Sequence, residues 1–466
     1  MRTLSRHRCA AWEARQISRP CVGPIALPGQ VVAIVAALAA AAAVSTPESA
    51  AKGWERPVAV TSTGPLFSPD GPVVAINAAG EMALAWDGHA ELQQAGRLRR
   101  RPPYRLAIPS GSTAVDIDDR GRAVVVSAGR STNVAVRMPG RPLARLAPLP
   151  SVAPGAMTLR PVAALTPAAG LLGWVETQGP RRALLRVAFM GAGKTPSEPI
   201  TLDSTSFIDD PSVATDAQGD LAIAWVALEQ QGGMFPVPYT QTATVKVAIR
   251  PAGGDLGPVQ VIGVEQASSQ PNLALSAARA AAVNWTRGNG SEMVAAPLAL
   301  SVAAPDGAFG PAADVPLIRP RRGREPHVAW GRDGWLFEAW QERGAPESPY
   351  GPLRWTVRGP DGRFAAARAL DAKPGLDLRV VATANGQAVV AWWGDGGIQT
   401  RLYRGGAASP GSLGAIAGHP TPTTPLDLAA SGRFAALAWN DRRGRVLVST
   451  RRLPWPGGRG AGSEWW

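Results

Sequence analysis

Turn-forming residues throughout, a hairpin motif written eight times, and a spare strand at the front of the chain together predict an all-β protein. The form is a β-propeller of four-stranded antiparallel blades, eight in number, closed by its N-terminal strand. Composition supplies the first observation. Of 466 residues, 52 are Gly and 44 are Pro, about a fifth of the chain, which leaves little room for long helices. The 45% hydrophobic content is too high for a disordered polymer. A single core stops growing at roughly 250 to 300 residues, so a chain this long needs several domains or a repeat that spreads its core out.

The repeat is the second observation. PVVAINAAGEMALAW at 72–86 and PSVATDAQGDLAIAW at 211–225 differ mainly at polar positions. The frame returns as PNLALSAARAAAVNW (271–285), PHVAWGRDGWLFEAW (326–340), LRVVATANGQAVVAW (378–392) and PLDLAASGRFAALAW (425–439). Two weaker copies fill the gap. TAVDIDDRGRAVVVS (113–127) lacks the Trp, and the copy from Pro161 is one residue shorter, ending at Trp174. The openings are 41 to 60 residues apart, the period of propeller blades or arrays. Seven blades is the alternative count, should a degenerate copy between 113 and 174 not form a full blade.

Each motif divides into an apolar stretch, a polar turn, and a second apolar stretch ending at Trp, which is a β-hairpin. Gly80, Gly121, Gly219, Gly334 and Gly386 hold the turn, and Asn77, Asp118 and Asp216 precede it as Asx-turn residues. A third strand follows the Trp, as in VKVAIRPAGGDLG (245–257) and RWTVRGPDGRF (354–364). Fourth strands are expected at PLARLAP (142–148), PVQVIG (258–263) and FAAARAL (364–370). The final unit has a third strand, RVLVSTRRL (445–453), but no convincing fourth. ERPVAVTSTG (55–64) has that character and precedes the first hairpin, so pairing it with the last unit would seal the ring without exposed edges.

Residues 1–51 read as a signal peptide or signal anchor with a basic arm, 52–455 as the propeller and 456–466 as a flexible tail. Arg2, Arg6, Arg8, Arg15 and Arg19 precede the uncharged run VVAIVAALAAAAAV at 31–44, which is short for a membrane span of about 20 residues. Ser49 and Ala51 offer a cleavage pair. Extracytoplasmic location, secreted or at the cell envelope, follows as an expectation. Both cysteines, Cys9 and Cys21, lie before the apolar run, so a processed chain has no disulfide, thiolate nucleophile or Cys metal site. The charge of +13 is carried almost wholly by Arg. A GC-rich coding sequence and a surface for anionic partners both account for it.

Propeller topology puts the first-to-second and third-to-fourth turns on one face and the other two connections on the opposite face. The former are short and alike. The latter vary widely, at 226–243, 264–270, 286–296 and 317–325, and rigidly held variable loops are where binding concentrates. The expected binding residues there are Asp87, His89, Glu176, Glu229, Glu342, Arg343, Asp395 and Asp441, each shortly after a hairpin's end. The seven repeat-end tryptophans read as blade packing rather than sugar stacking, because one large aromatic per unit at a fixed place fills a repeat core. Trp393 and the terminal Trp465 and Trp466 fall outside that frame and are expected to be more exposed.

Several chemistries find no support. GAGKT (191–195) resembles a phosphate loop, but Ala188 stands where its first glycine belongs. His89, His327 and His419 lack metal-ligand spacing, and no G-x-S-x-G or H-E-x-x-H is present. The basic runs at Arg97, Arg99, Arg100 and Arg101, and at Arg319, Arg321, Arg322 and Arg324, have no interleaved aromatics for stacking bases. No cofactor, metal or nucleic acid is expected.

The frame P-x-[VL]-A-x-[DNST]-x-x-G-x5-W resembles exported bacterial repeat proteins of the sialidase/BNR-like propeller type, over most of residues 55–455. The resemblance implies the fold. It does not extend to the Asp box, since in TDAQGDLAIAW the Trp lies six residues past the Gly rather than three. Sialidases use a Tyr nucleophile with a Glu partner and an Arg triad. Only Tyr350 has such a setting, near Glu342 and Glu347, while Tyr239 has Glu229 alone. The expected function is therefore a non-catalytic module, monomeric, that binds a protein or polysaccharide at the envelope. A sialidase-like glycan-active enzyme is one alternative. A structural protein held on anionic envelope polymers is another.

Overall fold

The computed structural model describes residues 53–60, 71–86, 88–98, 105–108, 111–151, 155–179, 181–231, 240–265, 267–288, 297–305, 307–317, 323–331, 334–342, 351–383, 385–405, 410–417, 425–441 and 443–454. The basic arm, the apolar run and the tail lie outside them, as do Asp87, Arg343, Tyr239, Tyr350, His419, Trp465 and Trp466.

Among the described residues the regular elements are strands, arranged as eight antiparallel sheets of four. The degenerate copies at 113–127 and 161–174 each form a full blade, which decides the count at eight. The first strands of blades 1 to 8 are Val73–Ile76, Ser112–Ile117, Met157–Leu165, Phe207–Thr215, Ala267–Leu275, Gly323–Trp330, Leu376–Ala382 and Leu426–Ser431. Each lies against the first strand of the next blade, and the last lies against the first, so the eight enclose an axis. The fourth strands are outermost.

Closure occurs as the sequence predicts. Val58–Ala59 pairs antiparallel with Val446–Arg452, Val58 opposite Val448, and supplies the fourth strand of blade 8. Two fourth strands differ from expectation. That of blade 2 is reduced to Ala147–Pro148 because Pro142 and Pro148 cannot donate to a ladder. That of blade 6 runs later, over Arg368–Pro374, after Phe364 makes a single bridge to Arg358.

The hairpin turns follow their side chains. Asn77 Oδ1 accepts from the N–H groups of Ala79 and Glu81 at 3.1 and 2.9 Å, and Asp118 Oδ1 accepts from Arg120 N at 3.0 Å. Blade 5 breaks the glycine rule, since Arg279 occupies the turn position with a φ of 64°, where blade 2 has Gly121 at 81°.

All seven repeat-end tryptophans are buried, at most 2% exposed. Each wedges a seam between two blades: Trp174 packs with Val124 and Val126 of blade 2, Trp225 with Leu171 and Val187 of blade 3, and Trp86 with Val446 and Val448 of blade 8. Two indoles reach a carboxylate on the outer strand of the preceding blade: Trp225 Nε1 donates to Asp203 Oδ2 at 2.7 Å, and Trp392 Nε1 to Asp371 Oδ2 at 3.1 Å. The seam between blades 1 and 2 has no wedge, because Ser127 stands at the Trp position. Its apolar contacts break into two small clusters, one around Ile117 and one around Val125. Trp393, expected to be exposed, is 2% exposed and packs with Trp439 in the seam between blades 7 and 8.

Candidate functional site

The first strands carry the most unusual backbone in the molecule. In blades 3 to 7 the pairing register slips at one place near the strand's start, between Leu159 and Val162, Asp209 and Ser212, Ser269 and Asn272, Arg324 and His327, and Leu376 and Arg379. In four of these the skipped pair ends in the repeat's opening proline, Pro161, Pro211, Pro271 or Pro326; blade 7 has Leu378 there. Proline has no N–H to give the ladder, so the strand bulges at that point. The residue before it is polar or charged: Arg160, Asp210, Gln270, Glu325, Asp377.

Three of these residues pay in backbone strain. Arg160, Glu325 and Asp377 have φ of 51°, 49° and 52°, a left-handed conformation that side chains with a Cβ adopt at a cost of about 1–3 kcal/mol. A residue preceding proline is steered towards extended backbone, which makes the conformation of Arg160 and Glu325 less favourable still. Only surrounding structure holds such residues, and they cluster where a side chain must be aimed. All lie at the end of the axis shared with the long second-to-third loops.

The charges gathered there are paired. Arg160 bonds Asp209 on the first strand of the next blade and reaches Asp210 at 2.7 Å. Arg379 Nη2 lies 2.7 Å from Asp377 Oδ1, and its Nη1 donates to Leu378 O at 3.0 Å. The other Asp377 oxygen accepts from Leu426 N of blade 8, and Asp427 Oδ2 accepts from Val74 N of blade 1 at 2.7 Å. The side chains of Arg160 and Arg379 remain about a third exposed.

Electrostatics follow from this crowding. Burial pushes the Asp427 carboxyl up to about 6 despite the Val74 N–H, and burial likewise raises Asp377 against the pull of Arg379. Burial, with the Arg379 charge beside it, drives His327 down to about 3, so its imidazole is neutral at physiological pH. Among the described residues no three His, Asp or Glu side chains converge as a metal site requires.

The residues expected from sequence are distributed differently. His89 stacks on Trp86, ring centroids 5.6 Å apart and planes 16° from parallel. Glu176 is fully buried and accepts from Trp174 Nε1 at 3.2 Å, and Glu342 is buried and ion-paired with Arg354 Nε at 2.9 Å. Glu229 and Asp395 are exposed at the loop face. Asp441 is occupied locally, its Oδ1 accepting from Arg443 N and Arg445 N at 2.9 Å each while Oδ2 meets the Arg445 guanidinium. The structure therefore does not bring Glu176, Glu342 and Asp441 together as one solvent-facing set. The inner cluster lies outside the residues expected from sequence, yet its signal is present there: a polar or charged residue directly before the opening proline of an otherwise apolar motif.

No family model matches the chain, and no curated protein matches it in sequence. Among solved structures it is similar to an α-L-arabinanase of Penicillium chrysogenum, at 14% identity over 64% of this chain and 93% of that one with a TM-score of 0.41. It is also similar to a Hadza microbial sialidase, at 9% identity over 85% and 95% with a TM-score of 0.42. The WD40 domain of SCAP from fission yeast matches at 10% identity over 86% and 98%, TM-score 0.46. The likeness is one of fold. The chain is an eight-bladed β-propeller, and its resemblance to the sialidase type stops at architecture.

Proposed function

We propose that this propeller is an exported, non-catalytic module that binds a polysaccharide at the axial mouth of its long-loop face. The observation that carries the reading is the aligned bulge of blades 3, 6 and 7, which holds Arg160, Glu325 and Asp377 in strained backbone at one end of the axis. Planar guanidinium and carboxylate groups in fixed positions are suited to the paired hydroxyls and the uronate carboxylates of a glycan chain. The absence of catalysis is supported by how the carboxylates are engaged. Asp377 is held by Arg379 and Leu426 N–H, and Asp427 by Val74 N–H, so each works as an acceptor within the fold.

Calorimetric titration with neutral and uronate oligosaccharides tests the reading. Binding that weakens at least about tenfold in Arg379→Ala supports it. Binding unaltered by that change and by Asp210→Ala sinks it.

One observation favours a second reading, a glycan-active enzyme. Asp427, with its carboxyl near 6, lies electrostatically coupled to Asp377, and glycoside hydrolysis uses two carboxyl groups whose proton affinities are set apart. Release of reducing sugar from the bound glycan, abolished by Asp427→Asn, would establish it in place of the first.

A further inference from the structure

Among the described residues the two faces of the propeller differ in charge, and the short-turn face is the more basic one. That face is formed by the ends of first and third strands and the starts of second and fourth strands. Among the described residues it presents ten exposed Lys or Arg side chains against four exposed Asp or Glu. The described residues of the loop face present four against three. The basic residues form an arc over blades 6, 7, 8, 1, 2 and 3, represented by Arg363, Arg404, Arg452, Arg97, Arg120 and Lys194. Arg97, Arg120, Lys194 and Arg363 sit in turns held by backbone and Asx hydrogen bonds, and Arg404 and Arg452 end strands, so the charges are presented by a rigid frame.

The chain also enters the propeller on this face. Gly53 and Trp54 precede the closing strand, and Trp54 bridges Arg451 at the end of the third strand of blade 8. Trp54 is buried and its Nε1 donates to Thr400 Oγ1 at 3.0 Å, which anchors the entry point. Only residues 45–52 separate it from the uncharged apolar run at 31–44. Eight residues reach at most about 28 Å when fully extended.

We propose that the short-turn face docks on an anionic lipid bilayer, its arginine arc against the headgroups. Charge complementarity and the entry point both select this face. The attraction of a basic surface to anionic lipid decays within a Debye length of about 8 Å at physiological salt, so a face held close by a short tether is the one that feels it. Docking in this sense turns the loop face, with the mouth proposed to bind glycan, away from the membrane. The docking itself does not depend on that glycan being bound.

The test is co-sedimentation of the full chain with phosphatidylglycerol vesicles and with phosphatidylcholine vesicles, at about 0.05 and about 0.5 M salt. Two triple variants of equal charge change are compared: Arg120→Glu, Arg141→Glu, Arg404→Glu on the short-turn face, and Arg181→Glu, Arg182→Glu, Arg443→Glu on the loop face. Thermal unfolding of each confirms that the fold is kept. The expected result is salt-sensitive retention on phosphatidylglycerol, reduced at least about tenfold by the first triple and within about twofold of wild type in the second. Equal loss from both triples would assign the effect to net charge and overturn the proposal. So would equal retention on phosphatidylcholine, or soluble polyglutamate displacing the protein from vesicles at matched charge, which would point to an anionic polymer instead.

Discussion

Val74 N–H donates to Asp427 Oδ2 at 2.7 Å, a bond that joins residues 353 apart in sequence and fastens the last blade to the first at the inner ring. The outer part of the same blade is closed by Val58–Ala59 on Val446–Arg452. The ring is thus locked twice, near its axis by a side chain and at its rim by a strand.

Asp427→Ala should cost about 1–2 kcal/mol by leaving the Val74 N–H without its acceptor, whereas Asp427→Asn, which keeps a carbonyl oxygen there, should cost less. The pH dependence carries a definite sign. The folded value of about 6 lies above the ordinary 3.8, so the native state keeps a proton that the unfolded chain has released. The contribution of Asp427 is full below about 3.8 and is lost as pH rises through 6. Denaturant midpoints of wild type and Asp427→Asn between these limits should therefore converge at the acid end and separate towards neutrality.

Glu338 offers a larger effect in the same direction. It is 1% exposed in the second strand of blade 6, neither of its oxygens has a hydrogen-bond partner among the described residues, and burial outweighs the nearby Arg358 to raise its carboxyl from 4.5 to about 8. Its contribution to stability is full below about 4.5 and disappears as pH rises through 8. Glu338→Gln should match wild type near the lower limit and exceed it above the upper one by about 2–4 kcal/mol, read from urea unfolding at each pH. An identical pH profile for the two proteins would show that Glu338 ionises without cost.

The seam between blades 1 and 2 should be the first to open. Replacing a buried tryptophan wedge such as Trp225 by Ala is expected to cost about 3–5 kcal/mol. Ser127 already occupies the equivalent place in blade 2, buried and with no partner for its Oγ among the described residues. Ser127→Ala should accordingly be neutral or slightly stabilising. Amide exchange should be faster at Val124–Val126 than at Ile223–Val226, and the reverse order would contradict the role assigned to the wedges.

Arg279 and Gly121 make a paired test of turn strain. Arg279 has a left-handed backbone, and its ion pair with Asp220 Oδ2, at 3.5 Å with the arginine 39% exposed, contributes little. Arg279→Gly should raise stability by up to about 1 kcal/mol. Gly121→Ala should lower it by at least as much, since its Cβ would lie 2.3 Å from Glu81 Oε2. Thermal melts of both variants supply the comparison.

By itself the sequence determines the propeller. The repeat length, the turn glycines, the terminal tryptophans and the displaced fourth strand at 55–64 are all local patterns, and hairpin formation and wedge burial are local consequences of them. Tertiary structure alone decided where the charges meet. Arg160 and Asp209 stand 49 residues apart in the chain and Asp427 and Val74 353 apart, so their pairing depends on how first strands converge on the axis. It also decided that Glu176 and Glu342 turn inward, to Trp174 and Arg354, because alternation along a strand fixes which side a residue takes only once the bulge and register are set. Proline's missing N–H is visible in the sequence; the left-handed backbone of Arg160, Glu325 and Asp377 is held only by the surrounding structure of the closed ring.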